Sequence, residues 1–375
     1  MEISRKTLIM VSIIIIAFII LGVSTIFLPN TAIEQAKKYK REFYDSLDKH
    51  GLKFNRFKSR IDQCKAERII LNFTKWYARE LKINVEKPNI TRIIHTDQST
   101  SPPPLARSVE LHLYDKYIAT VNVGDHRKWD IMIEDVTGKI IWFNVPEYTP
   151  YNQCRYPITT LNKSYAKTLV KNLLLKLNYT MFESNDLDIV ITDIQYLNLS
   201  MQIIVNFAFK VYGYIEYDPF PLMKRRYLNS IVIDPCSMRI VGLTIEPTIL
   251  LLYEKHVLKP LKPVIDYRKA LDKALDYIET CTAVKNGYIK NYSIVNYSLI
   301  WYYVDVDNDY IVDTISIGYF FKIETENVYI EKSILGIPVK ASMIKVTNYV
   351  IVDAQTGAVS YVISRIARPE LCLLR

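Results

Sequence analysis

Glycine is scarce in this chain, at 10 of 375 residues. The shortage argues against a phosphate-cradling loop, a dinucleotide-binding fingerprint and a collagen-like segment. The five histidines show no His-x-x-x-His spacing and the five cysteines no Cys-x-x-Cys pair, so the sequence predicts no structural zinc site. The Gly-x-Ser-x-Gly elbow of serine hydrolases is also missing. We therefore expect no catalytic residues and a non-enzymatic protein, with an unrecognised hydrolase as the third alternative.

A clustered basic surface is missing as well. The net charge is +9, but the 48 Lys and Arg residues are scattered among 39 acids. Binding of nucleic acid needs a basic stripe with interleaved aromatic residues, so we expect no nucleic-acid partner. The chain is 50% hydrophobic and 23% charged, which is typical of a globular protein. At roughly 150 residues per domain, its length predicts two or three domains.

The N-terminal segment is long and apolar. No charged side chain occurs from Thr7 to Ile33. About 20 apolar residues in a helix cross the bilayer core, so residues 8–28 are predicted to be a transmembrane helix in contact with the lipid bilayer. The alternative is a signal peptide that is cleaved near residues 22–25. The flanking cations favour a cytoplasmic body by the positive-inside rule, whereas the glycosylation signals described next favour the opposite side.

Seven Asn-x-Ser/Thr sequons occur, more than the composition predicts by chance. They indicate a glycosylated, extracytoplasmic body, and hence a single-pass protein of the cell membrane. Two of them lie five residues apart in a strand-like run, so they would point to opposite faces of an unbroken strand. Either the strand is broken between them or one is not glycosylated. The acceptors are Asn72, Asn89, Asn162, Asn178, Asn198, Asn291 and Asn296.

The cysteine count is odd, so at least one thiol has no partner within the chain. In an extracytoplasmic body disulfides are allowed. Cys281 and Cys372 flank the last repeat described below, and we predict that they form a pair.

One ten-residue pattern occurs three times. Three apolar residues are followed by an acid, two variable residues, a hydroxyl residue, usually Gly, a variable residue and then Ile or Val, at residues 131–140, 231–240 and 350–359. The pattern predicts a tight hairpin in which the carboxylate accepts backbone N–H groups and Gly adopts a positive φ. Met238 replaces Gly in the middle copy, so that turn must differ or carry strain.

Each hairpin ends a longer series of a helix followed by strands. Apolar residues at helical spacing predict helices before each set of strand-like runs. The acids of the turns are about 100 residues apart, which predicts α+β units of that size joined by proline-marked linkers. The predicted helices cover residues 31–50, 59–81, 164–179 and 266–281; the linkers, 146–157 and 247–263; and the domains, 1–30 (anchor), 31–150, 151–255 and 256–375.

A helix followed by antiparallel strands whose last hairpin reads apolar-apolar-apolar-Asp-x-x-Thr-Gly-x-Val resembles the PepSY domain family, chiefly over residues 160–366. The resemblance implies a fold class of α+β, with a transmembrane helix followed by tandem helix-plus-antiparallel-sheet (PepSY/cystatin-like) units. It also implies a binding module that modulates a peptidase or an envelope complex through a protein partner at the cell surface. The alternative is a structural stalk or component of the cell envelope, such as a surface-layer assembly. The composition resembles that of archaeal surface proteins.

An acidic loop in the last unit resembles the calcium loop of integrin-type repeats. Oxygen ligands at alternate positions, with a backbone carbonyl at the seventh, form the arrangement that a hard cation needs. Tyr310 stands where that loop has Gly, and a solvated turn without a metal is the alternative. The predicted calcium ligands are Asp305, Asp307, Asp309, the carbonyl of Ile311 and Asp313.

Overall fold

The computed structural model describes residues 31–368 and residue 372, apart from residues 86, 97–113, 125–126, 150–152, 155–156, 217–228, 305–313, 333–337 and 364–365. Five α-helices occur in this part of the chain. Helix α1 covers residues 31–50. The others are α2 (Gln63–Glu80), α3 (Lys163–Lys176), α4 (Thr248–Glu254) and α5 (Tyr267–Val284). The helices predicted over residues 31–50, 59–81, 164–179 and 266–281 correspond to α1, α2, α3 and α5.

The strands of the described residues form one mixed sheet of 15 strands. Most neighbours are antiparallel, and β11 also pairs in parallel with β8 and β15. The strands are β1 (Leu52–Lys53), β2 (Asn89–Thr96), β3 (Lys116–Asn122), β4 (Lys128–Glu134), β5 (Ile140–Asn144), β6 (Leu187–Leu197), β7 (Gln202–Val211), β8 (Tyr214–Glu216), β9 (Asn229–Ile233), β10 (Ile240–Thr244), β11 (Gly287–Val304), β12 (Thr314–Lys332), β13 (Pro338–Asp353), β14 (Val359–Ile363) and β15 (Ile366–Arg368).

This sheet joins all three repeats. Strand β5 of the first repeat pairs with β10 of the second, and β8 of the second pairs with β11 of the third. Helix α1 and β1, which the sequence assigns to the first unit, contact the third: Phe43 packs near Tyr302, and β1 pairs with β12. The molecule is therefore a single sheet-rich assembly of helices and one mixed sheet, rather than a string of separately folded sheets. The predicted domain boundaries themselves stay a prediction.

The membrane part of the predicted fold class is corrected. No helix in the described part of the chain combines the length and the apolar character that crossing a bilayer requires. The structure therefore gives no support to the predicted N-terminal transmembrane helix or to a single-pass location in the cell membrane. The anchor predicted over residues 1–30, including the lipid-contacting residues 8–28, lies outside the described residues.

The three repeated turns have the same backbone geometry. In each, the N–H of the acid donates to the carbonyl five residues later, and the N–H four residues later donates back to the carbonyl of the acid. The carboxylate side chains also accept N–H groups of the turn, as the sequence predicts. The acids are Glu134, Asp234 and Asp353.

Each turn is also bonded to the start of the helix of its own repeat. The carbonyl after the acid accepts backbone N–H groups that lie just before the helix N-cap: from Arg60 and Ile61 in the first repeat, Ile158 in the second, and Val264 and Ile265 in the third. The N-caps, Asp62, Asn162 and Asp266, each accept a backbone N–H of the first helical turn. Helix and hairpin are therefore bonded in the same way in all three repeats.

The linker predicted over residues 247–263 contains a structural helix. Its residues Ile249, Leu250, Leu251 and Leu252 are buried in the largest core cluster. Four consecutive buried aliphatic residues face every side of helix α4, so the segment shows no amphipathic periodicity.

Candidate functional site

The turn of the second repeat differs from the other two at one residue. Gly138 and Gly357 have φ angles of +81° and +78°, and Met238 occupies the equivalent position with a φ of +58°. A left-handed conformation costs an L-residue with a side chain about 1–2 kcal/mol. The turn thus keeps its geometry and carries the strain at Met238, which is one of seven described residues other than glycine with a positive φ.

In the first and third repeats, glycine lets the turn approach the helix closely. A Cβ atom at Gly138 would lie 2.7 Å from Cδ1 of Ile69 on α2, and one at Gly357 would lie 2.7 Å from Cε of Lys273 on α5. The second repeat has Leu169 at the equivalent position of α3, counted from the helix N-cap. Met238 therefore places a flexible thioether side chain where, in the other repeats, the end of a helix side chain fills the space.

A groove of about 470 Å³ lies at this junction, between α2 of the first repeat and α3 of the second. Such a volume falls in the range of ligand-binding clefts. One wall is formed by α2, the other by α3, and the turn at Met238 closes the base. The groove is lined by Trp76, Tyr77, Glu80, Leu81, Leu169, Asn172, Leu173, Leu175, Lys176, Met238, Arg239 and Ile240.

The α2 wall of the groove is built on packed aromatic rings. The rings of Phe73, Trp76 and Tyr77 pack together, with centroids 5.2–5.8 Å apart. The Tyr77 hydroxyl donates to the carbonyl of Ile240, so α2 is tied to the strand that follows the turn. Burial, reinforced by Glu80, raises the pKa of the Tyr77 hydroxyl, which therefore remains a neutral donor.

The rim of the groove is charged. Lys176 Nζ on α3 lies 2.9 Å from Glu80 Oε2 on α2, and this ion pair bridges the two walls. The half-buried Arg239 guanidinium makes no ion pair with any residue that the structure describes. The groove thus offers an apolar lining with Trp76 and Met238, and at its edge Arg239 is available to an anionic ligand.

The sequence-predicted sites lie elsewhere. The calcium loop, with Asp305, Asp307, Asp309, Ile311 and Asp313, lies outside the described residues. Calcium binding therefore stays a prediction.

All seven sequon asparagines are exposed, and their glycosylation stays a prediction. Asn291 and Asn296 pair with Glu326 and Lys322 across β11 and β12, and a bulge lies between Ile294 and Asn296. Their partners are four residues apart, so both asparagines point to the same face of the sheet. The strand irregularity that one alternative required is thus present.

The structure pairs four of the five cysteines. Cys281 and Cys372 lie together as a disulfide with their Cα atoms 5.0 Å apart, as do Cys154 and Cys236 at 5.6 Å. Cys64 is a free, exposed thiol. The Cys154–Cys236 pairing was not predicted, because Cys154 lies in the linker predicted over residues 146–157 and sequence spacing alone gives no connectivity.

Comparison with known proteins does not assign a family. No protein-family model matches the chain, and no curated protein matches it. Among solved structures, the chain is similar to the Bacillus megaterium YpeB C-terminal domain, with a TM-score of 0.38 and 12% identity. The match covers 76% of this chain and 99% of that domain. A likeness at this level does not assign the fold, and the resemblance to PepSY domains continues to rest on the repeated turns.

Proposed function

We propose that the protein is a non-catalytic binding module that holds a segment of a protein partner in the groove between α2 and α3. The observation that carries the proposal is Met238, a strained residue that replaces glycine in one repeat of three and lines the groove beside Trp76. The fold does not need a side chain there, since two repeats build the same turn with glycine. Methionine adapts its shape to different apolar partners, which suits a binding surface.

The chemistry of the groove indicates the kind of segment. An aliphatic or aromatic side chain would fill the space over Trp76 and Met238, and a carboxylate would pair with Arg239. Apolar anchors in a pocket supply most of the affinity of such contacts, and the charge at the rim supplies orientation. A peptidase is the partner class that the PepSY resemblance implies.

A selection from a displayed library of random peptides tests the proposal. Peptides would be enriched on the full-length protein and then measured against Met238→Gly and Arg239→Gln by fluorescence anisotropy. We expect enriched peptides to combine a large apolar residue with an acidic one, and to bind each variant about 10-fold more weakly, which corresponds to about 1.4 kcal/mol.

Met238→Gly is the sharper variant because it gives the turn the residue of the other two repeats. It removes backbone strain and should leave the unfolding free energy within about 1 kcal/mol of the parent value. Lys171→Gln, on α3 but outside the groove lining, is the matched control and should bind as the parent does. If enriched peptides bound the Met238→Gly and parent proteins equally, the groove would not be the site.

A second candidate function, a structural component of an assembly, is favoured by a different surface. The distal parts of β11, β12 and β13, residues 287–298, 322–332 and 338–349, are here called the arm. Of 13 exposed large apolar side chains among the described residues, seven lie on it. Concentrated exposed apolar residues mark interaction surfaces. The seven are Tyr288, Tyr292, Ile294, Val295, Tyr297, Met343 and Ile344.

Sedimentation equilibrium tests this alternative. If the arm joins copies of the chain, the parent protein forms oligomers that Ile294→Ser and Ile344→Ser dissociate, while Met238→Gly leaves them intact. A parent protein that stays monomeric throughout the accessible concentration range would reject self-assembly through the arm and leave the groove proposal unaffected.

A further inference from the structure

The hairpin end of the first repeat brings together three side chains that can ligate a metal. Nε2 of His95 on β2 lies 3.1 Å from Oδ2 of Asp135, the residue after the turn acid. One ligand atom each from His95, Asp115 and Asp135 lies within 4.8 Å of the other two. From these groups we propose that the first repeat binds a divalent transition metal, with zinc as its closest chemical match.

The separation of His95 and Asp135 suits a tetrahedral ion, and Asp115, within 4.8 Å of both, would complete the site by a small side-chain movement. Zinc bonds to imidazole nitrogen and carboxylate oxygen are about 2.0–2.2 Å long, which places neighbouring ligands about 3.3 Å apart in a tetrahedron. The 3.1 Å separation between His95 and Asp135 is close to that value. The His95 side chain is 35% exposed and that of Asp135 is buried, so the fourth position faces solvent and would take a water molecule.

Each ligand is held by a second contact. The His95 ring stacks on Tyr117 with the centroids 4.3 Å apart. The backbone N–H of Asp115 donates to Oδ1 of Asp135 at 3.0 Å, which leaves Oδ2 towards the histidine. Arg56 pairs with the Asp115 carboxylate. Such outer contacts orient metal ligands in known sites.

The other repeats show that the fold does not require these groups. The N–H after the turn acid donates to a strand carbonyl in two repeats, from Asp135 to Asp115 and from Ala354 to Ile317. These bonds make Asp115 equivalent to Ile317, and Asp135 to Ala354. In the third repeat both positions are apolar and fully buried.

The residues equivalent to His95 in the other repeats can be identified in the same way. Tyr117 and Tyr319 each donate a hydroxyl to the carbonyl before the helix N-cap, to Ile61 and Ile265 respectively. The strand neighbours of these tyrosines are His95 and Leu299. The third repeat therefore has Leu299, Ile317 and Ala354 at the three positions, and the second, by the same register, has Tyr196, Met201 and Pro235.

Arg56 compensates the Asp115 carboxylate, whereas the Asp135 carboxylate is fully buried beside the His95 ring. A buried carboxylate is costly unless a positive charge compensates it. At the positions of His95, Asp115 and Asp135, the second and third repeats have uncharged residues, whereas the first has three groups that can bind a metal. A purely structural role would need none of them, because two neighbouring repeats fold the same way without them. A common ligand explains the joint change.

Isothermal titration of the full-length protein with zinc ions alone tests the proposal. The protein would carry Cys64→Ser, so that the free thiol does not contribute, and would first be stripped with EDTA. We expect one saturable zinc site per chain. We also expect zinc to raise the melting temperature, because the folded state alone holds the assembled site.

The third repeat supplies matched variants. Asp135→Ala, Asp115→Ile and His95→Leu each introduce a residue found at the equivalent position, and His95→Gln is a conservative change at an exposed ring. Each should weaken zinc binding by at least about 10-fold and reduce the shift in melting temperature. His256→Gln, distant in sequence, is the control and should bind zinc as the parent does. Absence of a saturable site in the parent, or unchanged binding in His95→Gln, would overturn the proposal.

Discussion

Replacing Asp353 with alanine tests whether the buried turn carboxylates hold the hairpins in place. Oδ2 of Asp353 accepts hydroxyls from Tyr302 and Ser316, each at 2.8 Å. Oδ1 accepts the backbone N–H groups of Gln355 and Thr356 at 3.0 and 2.9 Å. Tyr302 and Ser316 are fully buried, so without the carboxylate their hydroxyls lose an acceptor far from bulk solvent.

An orphaned buried donor costs about 1–3 kcal/mol, so the two hydroxyls together predict a loss of about 4 kcal/mol. The two turn N–H groups lie nearer the surface and add less. Urea unfolding monitored by tyrosine fluorescence would give the loss of stability, and hydrogen exchange would show faster exchange at Gln355 and Thr356.

Tyr302→Phe makes this prediction sharper. Alone it removes one donor and leaves Asp353 its other partners, so we expect a cost of about 1–2 kcal/mol. Combined with Asp353→Ala it should recover part of the loss, because phenylalanine leaves no hydroxyl to satisfy. A single-variant cost below about 1 kcal/mol, or strictly additive costs in the double variant, would refute the reasoning.

Three further predictions concern pH, capping and cross-links. Burial, and then the hydrogen bond to Asp276, raise the pKa of Tyr39 from 10.0 to about 12. The stability that this shift contributes is present below about pH 10 and is lost as the pH rises towards 12. Tyr39→Phe should therefore flatten the fall of the urea midpoint over that pH range. Asp266→Ala removes the N-cap of α5 and should cost about 1 kcal/mol in the same assay. Cys372→Ser opens a link across 91 residues and should lower stability by about 4–5 kcal/mol on the loop-entropy model.

Each of these has its own control. For the pH series, Tyr165→Phe replaces an exposed tyrosine and controls for the loss of a phenol hydroxyl as such. For the cap, Asp266→Asn should retain most of the stability because it keeps an acceptor oxygen. Alkylation of the unreduced protein should modify Cys64 alone, and labelling of Cys281 would contradict the pairing.

Much of the local structure could be predicted from the sequence, because it is coded locally. Helix α5 begins at a capping aspartate and repeats apolar residues at helical spacing, and the hairpin at Asp353 combines β-branched strands with a Thr-Gly turn. These signals act over fewer than about twenty residues, so they can be recognised without knowledge of the tertiary fold.

The assembly could not be predicted in the same way. Helix α1 is amphipathic, but nothing in its pattern says that Phe43 packs on the third repeat rather than the first. Helix α4 is enclosed by other elements, so its sequence resembles a short apolar run in a linker. The proposed zinc ligands His95, Asp115 and Asp135 are separated by about twenty residues each, which is longer than the spacing of a local sequence motif. The register of the strands is what brings His95 beside Asp135.

The three repeats provide internal controls that separate structural from functional residues. Positions that keep the same bonds in several copies, such as the turn acids and the tyrosine pair Tyr117 and Tyr319, are explained by the fold. Positions that keep the backbone geometry but change chemistry need another cause. Met238 and His95 are of this second kind, and each lies at the end of a hairpin where it meets a helix or a neighbouring strand. On the two proposals above, the same junction is a scaffold that different repeats adapt to different ligands, apolar in the second and cationic in the first.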